Sequence, residues 1–366
     1  MKARINPFTP TFGKIPPRFA GRRRIIEDVM IGLEAGPGDP NRASLFVGAR
    51  GSGKTALMTK IAEKASQKGW ISVNVTAKEG LLADILEDAY TAAENYIEKD
   101  PKSRVTGVKL GGLSIKREFV DRPEGNWRTR MTRLLEALAQ ESIGLLITVD
   151  EVEISDEVRE LVIVFQHFVR EEREVVLLMA GLPQNVSGLL TDGSISFLRR
   201  AAQHHLGPIH EEHEVREAIR KTVELSERTI EEPALELTTS ATGGFPFLIQ
   251  LVGFHVWRQN PQSDVITIED AKEGIHYARG DMDTRIIKVT LDELSDGDMQ
   301  FLLAMVEDED DSQVSNIAER IGRDTNYTNQ YRLRLIEQGV IASRGRGKVG
   351  FEMPMLKDYL LRNHRL

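Results

Sequence analysis

Gly48-Ala49-Arg50-Gly51-Ser52-Gly53-Lys54-Thr55 is the stretch whose reading decides the fold. The apolar run Ser44-Leu45-Phe46-Val47 before it reads as a buried strand, and Leu57, Met58, Ile61, Ala62 and Ala65 after it recur at helical spacing. Strand, glycine-rich turn and helix in that order are the context in which G-x-x-x-x-G-K-T is a Walker A phosphate-binding loop. Small residues at Gly48, Gly51, Ser52 and Gly53 let the backbone wrap closely, so that successive N–H groups and the helix N-terminus converge on one anionic group. Lys54 is then placed to reach the β- and γ-phosphates of ATP, and the Thr55 hydroxyl to help hold Mg2+.

Downstream the same rhythm repeats. Trp70 to Val75 alternates like a strand, a helix follows through Leu81, Ile85 and Ala89, and the succession points to a parallel α/β sheet. Gly144-Leu145-Leu146-Ile147-Thr148-Val149-Asp150-Glu151 is a buried strand with two acids at its exit. At the end of a strand beside the Walker A strand, Asp150 would bind Mg2+ directly or through water, and Glu151 would polarise the attacking water. Between these elements, residues 101–127 read as a hairpin-like insertion with basic residues, a solvated face more readily than a partner site. A fourth strand runs through Val175 to Met179 and ends at Ala180-Gly181-Leu182-Pro183, and a fifth is expected over His204 to Ile209. His204 and His205 lack companions at metal-ligand spacing.

Composition bounds the rest. The 366 residues leave room for two or three domains, the 40% hydrophobic fraction is enough for ordinary cores, and the absence of cysteine removes disulfides and thiolate metal sites. No apolar run approaches membrane-spanning length and no signal-like segment opens the chain, so a cytoplasmic protein without membrane contact is expected. A net charge of −8 argues against nucleic-acid binding by the whole surface, but not by one segment.

That segment is C-terminal. A helix through Met299, Phe301, Leu302 and Met305, a short one through Val314, Ile317 and Ile321, and a third from Thr325 to Gln338 lead to a hairpin with Arg344-Gly345-Arg346-Gly347-Lys348 at its tip. Three helices and a β-wing make a winged helix. With Thr328, Tyr331 and Leu335 facing the core, Asn326, Gln330 and Arg334 are placed for base edges, and Arg344, Arg346 and Lys348 for phosphate. From Ser312 onward ten Lys/Arg oppose five Asp/Glu. Duplex DNA is the favoured partner, with a protein partner as the alternative, since winged helices serve both.

In combined order, Phe19-Ala20-Gly21-Arg22, Walker A, the Asp150-Glu151 Walker B, the Gly181-Leu182-Pro183 strand end, Gly244-Phe245-Pro246 and the terminal winged helix resemble AAA+ ATPases of the origin-initiator and STAND-like branch. The resemblance covers nearly the whole chain and implies a P-loop ATPase core over 1–210, a helical lid over 211–290 and a winged helix over 291–366. It implies a five-stranded sheet with the P-loop strand central, Mg-ATP as ligand and substrate of hydrolysis, and a lid that reports nucleotide state to the winged helix; the alternative is a slow ATPase switch whose winged helix contacts protein. Phe19 and Arg22 would pack by the adenine, Pro246 would start the lid helix facing the nucleotide, and Arg199 or Arg200 would be an arginine finger offered to a neighbouring subunit. Two departures stand out: Ala180-Gly181 replaces the polar sensor 1 residue, and the sensor 2 arginine is missing.

Overall fold

The computed structural model describes residues 4–11, 14–99 and 125–364, and the side chains of 95–99 are left aside. The chain forms two compact units: Arg23–Val47 with Lys54–His205, and Met1–Arg22 with Gly48–Gly53 and Leu206–Leu366. The insertion expected over 101–127 lies outside the described residues, except for its last three. Of these, Asn126 caps the next helix by accepting the Thr129 N–H.

The first unit is built on five parallel strands, β1 (Ala43–Val47), β2 (Trp70–Thr76), β3 (Gly144–Asp150), β4 (Val175–Gly181) and β5 (Ala202–His205), in the order β2-β3-β4-β1-β5. Two expectations are corrected here. β4 occupies the centre, so the P-loop strand β1 lies one place off centre, and β3 is not beside β1 because β4 stands between them. The burial of each strand explains its slot: all seven residues of β4 are buried, whereas the edge strand β5 alternates half-buried and exposed residues. The fifth strand also starts and stops earlier than expected, at Ala202 and His205.

Helices cover both faces, as a buried parallel sheet requires. Leu45, Val47, Leu145, Ile147, Val149, Leu177 and Met179 face one core together with α3 (Leu81–Lys99), α4 (Trp127–Gln140) and α5 (Asp156–Arg170). On the other side lie α1 (Arg23–Ala35) and α2 (Lys54–Ser66). A sixth helix, α6 (Pro183–Thr191), follows β4 and is succeeded by a 3-10 segment, Gly193–Arg200.

The second unit begins its helical part with α7 (Glu212–Glu224), α8 (Glu232–Thr242), α9 (Pro246–Arg258) and α10 (Ile268–Met282), and the two-residue strands β6 (Thr229–Ile230) and β7 (Val265–Ile266), paired parallel, precede α8 and α10. Pro246 takes the first helical position, where its missing N–H costs nothing, and Thr267 with Asp270 forms a capping box at the start of α10. The helix continues through a π turn, Asp283–Ile287, into α11 (Lys288–Asp292). Then come α12 (Asp296–Val306), β8 (Ser312–Gln313), α13 (Val314–Arg320), α14 (Thr325–Glu337), β9 (Ile341–Ser343), β10 (Lys348–Phe351) and α15 (Leu356–Asn363). The strands pair antiparallel in the order β8-β10-β9. The two-residue strands of this unit and the closing helix α15 were not anticipated. One hydrophobic cluster runs through this unit from Phe8 to Leu360. Among the described residues no helix is long and apolar enough to cross a membrane.

Candidate functional site

In the second unit, the turn Gly48–Gly53 is shaped for close approach. Gly51 and Gly53 have φ of 80° and 87°, a region that costs other L-residues 1 kcal/mol or more, roughly. Ser52 is buried, its N–H donating to the Ala49 carbonyl at 3.2 Å, while its hydroxyl has no partner among the described residues. Nor do the N–H groups of Gly51 and Gly53 make a hydrogen bond within those residues. Grouped orphan donors on a glycine turn form an anion-binding concavity, so the residues present fit a nucleotide phosphate.

The start of α9 meets this turn within the same unit. The Phe247 N–H donates to the Gly51 carbonyl at 3.2 Å, and a Cβ placed on Gly53 would sit 3.3 Å from Pro246. Phe19 is half-buried, Ala20 packs on the core, and the Gly21 N–H donates to Glu214 Oε2 at 2.7 Å. Arg22 has a left-handed backbone, φ 61°, and its guanidinium donates to the Gly207 carbonyl. Burial lowers the Arg22 pKa, against the opposing pull of Glu211. Ile209, between these partners, donates its N–H to the Gly244 carbonyl at 2.8 Å. Phe19, Arg22, Pro246 and the glycine turn thus belong to one packed unit, although 227 residues of chain separate the ends of the set.

In the first unit, α2 opens with Lys54, half-buried and engaged with its surroundings, and with Thr55. The Thr55 hydroxyl donates to Asp150 Oδ2, while Asp150 Oδ1 accepts the Glu151 N–H at 2.9 Å. A hydroxyl and a carboxylate in contact are the hard oxygen donors with which Mg2+ is held alongside phosphate. Glu151 is exposed and left-handed, φ 52°. Its conformation is stored strain of the kind that gathers at functional positions, and nothing in the sequence signals it. The next residue, Val152, donates its N–H to the Ala180 carbonyl at 2.8 Å, and both Ala180 and Gly181 are fully buried. The sensor 1 place is therefore filled by strand packing rather than by a polar group. Gln184 and Asn185 follow half-buried in the first turn of α6.

Arg199 and Arg200 end the 3-10 segment just before β5. Arg199 Nε donates to the Leu190 carbonyl at 2.7 Å, whereas Arg200 is exposed and without a partner among the described residues. The segment is pinned by Asp192. It accepts from the Ser194 hydroxyl and from Arg159, which together with the Ser194 N–H hold its pKa down at about 2.

The nucleic-acid candidates divide. Asn326 and Gln330 are exposed and line an open concavity with Asp324, Thr325 and Tyr327. Arg334, expected on that side, is instead turned onto α12. Its Nε donates to Asp298 Oδ1 at 2.9 Å, its Nη2 to Ser295 Oγ at 2.6 Å, and it stacks 5.0 Å above the Tyr331 ring. The reason is that Asp298, capping α12, is only 2% exposed in its side chain and needs a counter-charge. Arg344 is likewise withdrawn to Glu352 at 3.1 Å, with Asp311 at 3.9 Å, whereas Arg346 and Lys348 are exposed. Arg320 and Lys357 bond to the acidic loop at Asp308, and Arg362 to Asp283. Five of the segment's nine described cations are therefore engaged internally, which charge counting on the sequence could not reveal.

With this geometry the architecture is similar to that of the Aeropyrum pernix ORC2 protein, solved as ADPNP-ADP complexes: 14% identity, 96% of this chain and 95% of that chain, TM-score 0.63. It is also similar to Cdc6p from Pyrobaculum aerophilum: 16% identity, 96% of each chain, TM-score 0.51. The chain has the fold of these proteins. Within that fold, residues 284–360 match a family described as a domain of unknown function (DUF8462), a span from the π turn to α15. No curated protein matches the chain. At these identities the AAA+ likeness speaks for the architecture, and the chemistry has to be argued from the residues themselves.

Proposed function

We propose that this protein binds and hydrolyses Mg-ATP and that its nucleotide state controls a C-terminal winged helix that binds duplex DNA. The observation that carries the ATPase half is the hydrogen bond from Thr55 to Asp150, which brings the ends of Walker A and Walker B onto one point. Gly48, Gly51, Ser52 and Gly53 supply main-chain donors to the phosphates, and Lys54 adds an ammonium to the β/γ pair. Thr55 and Asp150 would hold Mg2+, whose contribution is to neutralise charge on the phosphate oxygens. Glu151, exposed beside Asp150, orients water for in-line attack. Phe19, Arg22 and Pro246 form the wall for the adenine. Arg200 is the better finger for a neighbouring subunit, because Arg199 is already bonded to a carbonyl. The division into a core over 1–210, a lid over 211–290 and a winged helix over 291–366 belongs to the same reading, as does a cytoplasmic setting.

DNA binding is supported by the exposed amides of α14 and the exposed wing cations Arg346 and Lys348. The relative solved with ADPNP and ADP is a precedent for nucleotide in this fold. A second reading has an observation of its own: Leu333 on α14 is 53% exposed and five of the nine described cations of the segment are internally engaged, features suited to a protein partner of a slow ATPase switch.

Hydrolysis by the wild type, Lys54→Ala and Glu151→Gln, each with and without duplex, tests the proposal. Lys54→Ala is expected to lose tight ATP binding. Glu151→Gln is expected to keep it while turnover falls by about 100-fold or more. Wild-type turnover in Glu151→Gln would remove that residue from the mechanism. Absence of duplex binding at low salt would leave the protein-partner reading.

A further inference from the structure

We propose that the outward face of α14 reads A·T base pairs in the major groove, an inference that rests on the DNA-binding reading above. The inward face of the helix is fixed by Thr328 and Leu335, both fully buried, with Tyr331 packed beside them. At 100° per residue the opposite face carries Asn326, Gln330, Leu333 and Glu337, all exposed. Two primary amides one helical turn apart offer the donor and acceptor pair that matches adenine N7 and N6, and the Leu333 methyl groups suit the thymine methyl.

Guanine is read chiefly by arginine or lysine across O6 and N7, and the outward face carries neither. Arg334 is held against the buried Asp298, and moving it into a groove would strand that carboxylate. Arg323 is stacked 5.0 Å over the Tyr327 ring at the entrance to the helix, and Arg332 is half-buried on the inward side. Asp324, in the same concavity as Asn326 and Gln330, and Glu337 at the far end accept from an amino group of either pair, adenine N6 or cytosine N4, so the discrimination rests on the amides. The exposed Arg346 and Lys348 remain for phosphate, so the surface separates base-reading amides from backbone-binding cations.

The test uses the full chain and fluorescent duplexes of equal length, one of A·T pairs in mixed order, one of G·C pairs, and one A·T duplex with 7-deazaadenine, which lacks N7. The wild type should favour the A·T duplex by about tenfold or more, and 7-deazaadenine should erase most of that preference. Asn326→Ala and Gln330→Ala should each lower the A·T affinity by about tenfold and leave G·C binding unchanged. Arg346→Ala should weaken both duplexes alike. Equal, salt-sensitive affinity for A·T and G·C duplexes would overturn the inference while leaving DNA binding intact. So would an A·T preference indifferent to 7-deazaadenine, since that marks minor-groove or shape readout. No binding to any duplex at low salt would overturn the DNA reading and this inference together.

Discussion

Asp298 and Arg334 illustrate how one residue can set the role of another. The carboxylate is buried, bonded to the N–H and hydroxyl of Ser295, and completed by the guanidinium of Arg334 at 2.7 Å. Removing a single partner of such a pair leaves a desolvated charge. The half-exposed arginine and the surviving Ser295 bonds moderate the loss, so Arg334→Ala should cost about 2 kcal/mol. Asn326→Ala, on the exposed face of the same helix, should stay within about 0.5 kcal/mol. Thermal unfolding of the two variants checks this: equal melting temperatures would mean that Arg334 is not structurally engaged and is available to a ligand. At the same scale, Gln can adopt the left-handed backbone of Glu151 as readily as Glu does. The loss of turnover expected for Glu151→Gln should therefore come without loss of stability.

At the scale of elements, the 3-10 segment Gly193–Arg200 is the piece whose placement depends most on a titratable group. Asp192 receives the Ser194 hydroxyl, Arg159 and the Ser194 N–H, and these bonds depress its pKa from an ordinary 3.8 to about 2. A depressed carboxylate contributes stability that is present in full above its unfolded value and fades as pH falls toward the folded one. The order of the segment carrying Arg199 and Arg200 should thus weaken between about pH 4 and pH 2, and carboxyl chemical shifts followed by NMR should place the midpoint of Asp192 near 2. Asp192→Asn should remove this dependence, and a midpoint near 4 would mean that the Ser194 and Arg159 contacts are not maintained in solution. Element boundaries also show what the sequence could carry. Buried strands, amphipathic helices and glycine stops were legible because each is a local signal: α14 ends at Glu337, just before Gly339, and β3 ends on Asp150. Strand order was not legible, because it depends on which strand is apolar on both faces, a competition among β1, β3 and β4 that no single segment records. Pairing was equally hidden. Arg334 and Arg344 read as free cations only because their carboxylates, Asp298 and Glu352, lie 36 and 8 residues away. Phe19, Arg22 and Pro246 are legible through family resemblance rather than periodicity, and the contacts of Pro246 with Gly53 and of Arg22 with Gly207 are long-range.

For the whole molecule, the telling feature is that Gly48–Gly53 packs within the unit that also contains the lid and the terminal segment. Gly51 bonds to Phe247, Arg50 pairs with Glu293 at 3.4 Å, and a Cβ on Gly339 would lie 3.0 Å from that of Ala49. A ligand that orders this turn therefore acts on residues in contact with α9 on one side and with the end of α14 on the other. Coupling of this kind is reciprocal: if ATP changes duplex affinity by some factor, duplex must change ATP affinity by the same factor, commonly about 5- to 150-fold. Gly339 is where the coupling can be probed without touching either ligand. Its φ of 71° makes Gly339→Ala cost about 1 kcal/mol, and the added methyl pushes on Ala49. The variant should bind ATP more weakly and show a smaller ATP effect on duplex binding, although it alters neither Walker motif nor the exposed face of α14. Calorimetric titration of ATP into wild type and variant, each with and without duplex, measures both quantities. An unchanged ATP affinity in Gly339→Ala would show that the end of α14 and the phosphate-binding turn are neighbours without being linked.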